Sequence, residues 1–256
     1  MSLPALSHTN DPFPGSAADA AVLLVPDTTA FPDALDAYPG LADILAGIGF
    51  TGSAGAFARI HFPALTELPL AVVGIGATPS DAAVRDAAGV ALRTLTGFES
   101  VAIGLAASLH EFAAAAAEGA VFGGYRFEGY RAKPGKARAS SVTLHSSRVT
   151  DEDIAHARIV GDALALVKDL VSVPAEWQSP RDLAQSAVDA VTDLDISVEV
   201  LDETALEEQG YGGILGVGRG SDRPPRLVRL DYTPADACAT SHSLARASHS
   251  TLAAFH

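Results

Sequence analysis

An α/β fold is the class this sequence predicts, and three observations carry it. Short apolar runs of strand length alternate with stretches of helical period along most of the chain. Gly, Pro, Asp and Ser mark the boundaries between them. Apolar residues make up 48% and charged residues 19%, the balance of a chain that buries a core rather than one that stays disordered. Strands alternating with helices imply a mixed or mostly parallel sheet with helices on its faces.

The elements follow in order. AAVLLVPD, Ala20 to Asp27, predicts a buried strand that stops at Pro26 and Asp27. Leu41, Ile44, Leu45 and Ile48 recur at helical spacing and predict a short helix. ARIHF, from Ala58, and LPLAVVGIG, Leu68 to Gly76, predict two strands, the second with a glycine exit. The stretch TPSDAAVRDAAGVALRTLTG predicts a helix that starts near Pro79 or Ser80 and ends before Gly97. SVAIGL predicts a strand, and SLHEFAAAAAEGAVFGG a helix running to Gly123 and Gly124. RAKPGKARASS, Arg131 to Ser141, breaks the pattern with Pro, Gly and four basic residues, and predicts a loop. VTLHSS predicts one more strand.

A long helix then begins at Thr150, which forms a capping-box pattern with Asp153, with acids in the first turn to suit the helix dipole. Beyond it come a helix (SPRDLAQSAVDAVTDL), a strand (ISVEVLD), a helix (ETALEEQGY), a glycine-rich loop (GGILGVGRGS) and a strand (PRLVRLDY). After Tyr232 the period stops. A domain boundary is expected at about 148, giving an N-terminal α/β domain over 1–148 and a second α/β segment over 149–234, with 235–256 set apart as a tail.

The 256 residues suffice for one large domain or two small ones. A net charge of -14 argues against a phosphate-binding surface, so a nucleic-acid partner is disfavoured. One cysteine makes no internal disulfide and no zinc pattern. The N-terminus has no basic stretch ahead of an apolar run, so no signal peptide is expected, and AVLLVPD is too short to span a membrane. A cytoplasmic protein with no membrane partner is the expectation.

The candidate sites are weak. GIGATP, Gly74 to Pro79, lies between a strand and a helix as a dinucleotide loop would, but Pro79 stands where the third glycine belongs. An ordinary turn is favoured. GVGRGS, Gly216 to Ser221, lacks the lysine of a phosphate loop and leads to a strand, so a tight turn with close backbone contact is favoured. His8, His61, His110, His145 and His156 form no metal-binding spacing. His242 and His249 lie among serines without a nucleophile elbow. Cys238 has no activating neighbour in the sequence. The acids of DEDIAH and DETALEE are explained by capping. Residue patterns alone therefore assign no catalytic, cofactor-binding or metal-binding residue.

Two stretches resemble the leucyl (cytosol) aminopeptidase family of dinuclear metallopeptidases. AAAEGAVFGGYRFEGYRAK, Ala115 to Lys133, is similar to the helix and Tyr-x-Phe-x-x-Tyr segment near the end of that family's N-terminal domain. Lys168 to Tyr232, including LGVGRGS and PRLVRLDY, resembles the entry to its catalytic domain, with Ser172 in place of the usual Asn two residues before Pro174. Together they cover about a third of the chain. The resemblance implies a truncated α/β metallo-aminopeptidase catalytic domain after the N-terminal one. It implies an intact enzyme with two divalent metal ions, Mn or Zn, that releases N-terminal residues such as Leu from peptides and assembles as a homohexamer. Some members also bind DNA, for which Arg131 to Ser140 is the one basic segment. The metals would polarise the peptide carbonyl and generate hydroxide. The family's next strand leads into a VGKGITFDTGG-like run, which supplies a metal-binding lysine and aspartate, and an NTDAEGR-like motif comes later. This chain has neither.

The tail accounts for the gap. Back-translated with permitted codons from Ala239, and read from the third base of that codon, Ala239 to His256 spells HVALVGKGITFDTGGIS. Each shifted residue takes two bases from the following codon, and the amino acid mostly fixes those bases, so few residues are reachable at each place. The alternative is a natural Ser- and Ala-rich disordered tail. The frame-shift reading is preferred because it supplies the missing motif in one run. The chain is therefore expected to be a truncated, frameshifted family member that holds no catalytic metal pair and has no peptidase activity. A stand-alone α/β binding or regulatory module is the second reading. Residues beyond about 150 are expected to be poorly stable, with an uncovered strand edge after Tyr232.

Overall fold

A computed structural model describes residues 3–14, 18–130, 132–133, 135–233 and, for the backbone, 241–248 and 251–255. The chain divides into two compact units, Met1–Asp169 and Leu170–His256.

The first unit is built on a six-stranded sheet ordered β1-β6-β5-β2-β4-β3. Its strands are β1 (Ala5–Thr9), β2 (Ala20–Val25), β3 (Phe57–Phe62), β4 (Thr66–Gly74), β5 (Ser100–Leu105) and β6 (Ser141–His145). All neighbours pair in parallel except the edge strand β3, which runs antiparallel to β4. The mixed α/β class expected from the sequence is the class observed. Every residue of β2 is buried, and its side chains serve two cores. Ala20, Val22 and Leu24 face one cluster, Ala21, Leu23 and Val25 the other. A parallel strand covered on both faces needs an unbroken apolar run, which AAVLLV supplies.

Helices α2 (Asp81–Thr94) and α3 (Ala113–Gly124) cover the first of these faces. Ser80 caps α2 by accepting the Ala83 amide. Their contact depends on small residues. A side chain at Gly119 would collide with the Arg85 carbonyl, so the two backbones meet directly. At the same seam Arg85 Nε pairs with Glu118 at 2.6 Å. The opposite face over β2 and β4 is covered by α1 (Leu41–Gly47), which buries Leu41 and Leu45. The four-residue stripe expected there is half realised, because Ile44 and Ile48 are exposed. The helix spans only seven residues, too few to bury a full stripe.

Helix α4 (Asp151–Ser172) completes the unit. Its capping box forms as the sequence indicated: Asp153 N donates to Thr150 Oγ1, and Thr150 N to Asp153 Oδ2. Ile154, Ala157, Gly161 and Ala165 are its buried seam, and a side chain at Gly161 would strike Val121. Strand β1 went unread in the sequence. Only Leu6 of its five residues is buried, so it lacks an apolar run. Its outer edge is shielded by Arg158 of α4, which donates to the Leu6 carbonyl.

In the second unit α5 (Pro180–Ala190) carries a capping box between Ser179 and Asp182. Strands β7 (Ile196–Leu201) and β8 (Arg226–Tyr232) pair antiparallel. A small core of Leu201, Leu206 and Leu227 joins them to α6 (Glu203–Glu208) and α7 (Gly212–Gly218). Residues 212–218 were expected to be loop. Burial of Ile214 and Leu215 against that core overrides the weak helix propensity of glycine. Regular structure also continues past Tyr232. Strand β9 (Ser241–Ser248) pairs antiparallel with β8, and β10 (Thr251–Phe255) with β9. The β8 edge expected to stay open is therefore paired. Main-chain hydrogen bonds do not depend on side-chain identity, so any extended segment can fill such an edge.

Two predictions follow from these contacts. Gly119→Ala should lower stability by about 1–3 kcal/mol through overpacking at the α2–α3 seam, measured by urea unfolding. The Thr150 amide and hydroxyl hold the Asp153 carboxyl below its usual pKa, and the Ser179 hydroxyl and amide do the same for Asp182. Folded pKa values that are depressed give stability that is present above the unfolded value and is lost as pH falls through the folded one. Replacing both by Asn should therefore lower stability at pH 6 and flatten the acid limb below about pH 4, read from thermal unfolding across pH.

Candidate functional site

The strand-to-helix loop at Gly74 is the first place to look for a ligand, since phosphates bind where backbone amides converge free of partners. Those amides are already used. Gly74 N donates to Ala56 O at 2.8 Å, Ile75 N to Val25 O at 3.0 Å and Gly76 N to Gly52 O at 2.9 Å. A side chain at Gly74 would overlap the Ser53 and Gly52 carbonyls, so the space a dinucleotide would need holds the chain itself. Gly76 has φ of +89°, which explains the glycine as a turn residue. In the other glycine run, Gly218 packs on Pro225, and Ser221 Oγ accepts the Arg223 amide.

The histidines are dispersed. His8 Nε2 lies 3.2 Å from Asp151, and His156 Nε2 3.7 Å from Glu118. His61 is exposed on β3. His145 is buried at the end of β6, its Nδ1 3.1 Å from the Asp11 carbonyl and its ring edge-on to Phe13. His110 Nδ1 stands 3.2 Å from Ser146 Oγ, a pairing the sequence did not suggest because 36 residues separate them. Burial, then the Arg148 charge, lowers the His110 pKa and favours the neutral ring. The pair is no nucleophile and base, because Ser146 is 3% exposed and its oxygen also accepts the Arg148 amide. Among the described residues no three His, Cys, Asp or Glu side chains come together to hold a metal. Cys238 and His249 lie outside the described residues, as does the side chain of His242.

The basic segment offers little to a polyanion. Arg138 turns inward and donates to the Gly123 carbonyl at 3.0 Å and to that of Tyr125, while Lys133 and Lys136 are exposed. Arg131 lies outside the described residues. On the second unit, Arg223 lies 3.1 Å from Glu176 and Arg226 pairs with Glu203. They line an open depression with Ser179, Asp182 and Asp222.

One junction does join the two stretches that carry the family resemblance. Tyr125 Oη donates to Asp169 Oδ1 at 2.6 Å, and the Lys168 ammonium sits 4.9 Å from the centre of the Tyr125 ring. Burial lowers the Lys168 pKa, helped by the Arg93 and Arg138 charges. This arrangement fastens the start of the second stretch to the end of the first, beside a depression lined by Gly124, Arg126 and Arg138. Among the described residues no group of three His, Cys, Asp or Glu side chains stands here or elsewhere to hold a bridged metal pair. No helix among the described residues is long and apolar enough to cross a membrane.

Comparison with known proteins gives a consistent result. Residues 22–134 match the profile of the cytosol aminopeptidase family, N-terminal domain, and residues 165–245 that of the same family's catalytic domain. A probable cytosol aminopeptidase of Micrococcus luteus is 37% identical over 88% of this chain and 46% of its own length. One from Leifsonia xyli is 39% identical over 91% of this chain and 48% of its own. Among solved structures, the bottromycin maturation enzyme BotP in complex with Mn has a TM-score of 0.70 at 25% identity, covering 86% of this chain and 46% of its own. A tomato leucine aminopeptidase mutant has a TM-score of 0.74 at 20% identity, covering 92% and 52%, and shares the fold. The chain spans about half the length of the curated relatives it matches.

Tyr125→Phe should cost about 1.5–3 kcal/mol, because it leaves the Asp169 carboxylate without a charge-assisted hydrogen bond. Chemical denaturation at neutral pH checks this.

Proposed function

The chain belongs to the cytosol aminopeptidase family, and we propose that its gene encodes a metal-dependent aminopeptidase whose metal-holding residues lie in another reading frame from about Ala235 to Ala239 onward. The substrates are peptides with a free N-terminus, Leu preferred. The working form is a cytoplasmic homohexamer with two Mn or Zn ions. The 256-residue chain itself has no aminopeptidase activity.

One feature of the sequence supports the reading: codons permitted for Ala239 to His256, shifted by one base, spell the lysine- and aspartate-bearing run that should come next. In the shifted frame the lysine falls at the place of Arg246 and the aspartate at the place of Thr251. Position 246 belongs to β9 and pairs with Leu227 of β8. Read in that frame, the run would fall on the positions of β9, the strand that pairs with β8 in this chain. Its apolar start, HVALV, suits a paired interior strand better than the polar run SHSLARAS does. Among the described residues no three His, Cys, Asp or Glu side chains come together to take a metal pair.

The test is a paired assay. The purified 256-residue chain, supplied with Mn or Zn, should release no chromophore from leucine p-nitroanilide. The product of the gene with the frame restored between the codons for Tyr232 and Ala239 should hydrolyse it, and a chelator should abolish that activity. Turnover by the 256-residue chain would overturn the reading, as would a frame-restored product that stays inactive with either metal.

A further inference from the structure

Helix α4 carries a second apolar stripe that its own unit does not use. The buried seam is Ile154, Ala157, Gly161 and Ala165. About half a turn around the helix stand Ile159, Ala163, Leu166 and Val167. Ile159 is 70% exposed and Val167 56%. Ala163 is also exposed and Leu166 half-buried. Their spacing of i, i+4, i+7 and i+8 is that of a helix face made for burial. A solvated face would carry charge at these places, and the flank of this one does, at Asp162.

We infer that this stripe is the seat for the part of the catalytic domain encoded in the other frame, an inference that rests on the frame reading proposed above. The match to the family's catalytic domain begins at residue 165, inside α4, so the stripe runs into that domain. The relatives carry about as much chain again as this one does, which is ample to cover it. Size separates this occupant from a free partner. Nine residues of helix make a strip about 13 Å long and about 10 Å wide. That is a small fraction of the ~800 Å² per partner that a stable complex between separate chains buries. A segment joined covalently to α4 escapes the entropic cost of association, so a small patch suffices for it.

The experiment is thiol labelling in a Cys238→Ser background. Ile159→Cys and Val167→Cys are compared in the 256-residue chain and in the frame-restored chain, with Asp162→Cys as the control on the neighbouring exposed face. Both stripe cysteines should react with a maleimide rapidly in the 256-residue chain and at least tenfold more slowly in the frame-restored one, while Asp162→Cys reacts alike in both. Equal rates at 159 and 167 in the two chains would overturn the inference, and so would slow labelling in the 256-residue chain. Leucine p-nitroanilide hydrolysis by the frame-restored chain separates the failures. An active enzyme with unprotected stripe cysteines refutes the seat alone, whereas the lack of an open frame refutes the premise and the seat together.

Discussion

Direct backbone contact between α2 and α3 is the constraint on which the first unit depends. Gly119 brings its helix onto the Arg85 carbonyl, closer than any side chain would permit. At that spacing the Arg85–Glu118 pair can bridge the helices, and both can bury their alanine faces on β2, β5 and β6. Helix α4 then packs over Val121 through Gly161, and from there Arg158 reaches the open edge of β1. The layers are consequently set by main-chain geometry as much as by hydrophobic content. The abundance of alanine fits this, since small side chains let layers approach without voids.

The same economy governs the loops. At the Gly74–Gly76 turn the glycines serve close passage of the 52–56 segment rather than a bound phosphate. At the Tyr125 junction a phenol, a carboxylate and an ammonium fasten α4 to the end of α3. At the turn the Gly74, Ile75 and Gly76 amides are already bonded within the chain, and at the junction the Tyr125 hydroxyl is bonded to Asp169.

Much of this was legible in the residues. The buried β2, the start of α2 near Ser80, the capping box of α4 and the mostly parallel arrangement all follow from periodicity and capping chemistry. Strand β1 was not legible, because an edge strand with one buried side chain leaves no apolar run. Nor was α7, whose glycine content masks a helix held by two half-buried residues, Ile214 and Leu215. The His110–Ser146 contact was invisible for another reason: it joins residues far apart in sequence, and neither is unusual alone. The tail is the reverse case. The proposed shifted reading rests on the sequence alone, and the pairing of β9 and β10 does not bear on it.

The pairing of β9 with β8 also shows why a shifted tail can still be accommodated. An exposed strand edge offers main-chain donors and acceptors to whatever extended segment follows, whatever its side chains. The central claim is that the chemistry was lost by a change of frame, and nucleotide sequencing tests it most directly. The gene should be read from the codon for Tyr232 through several hundred bases downstream. The account predicts that the alternative frame encodes VGKGITFDTGG at the tail and an NTDAEGR-like run farther on. Codons for residues 239–256 that spell neither in any frame would contradict it.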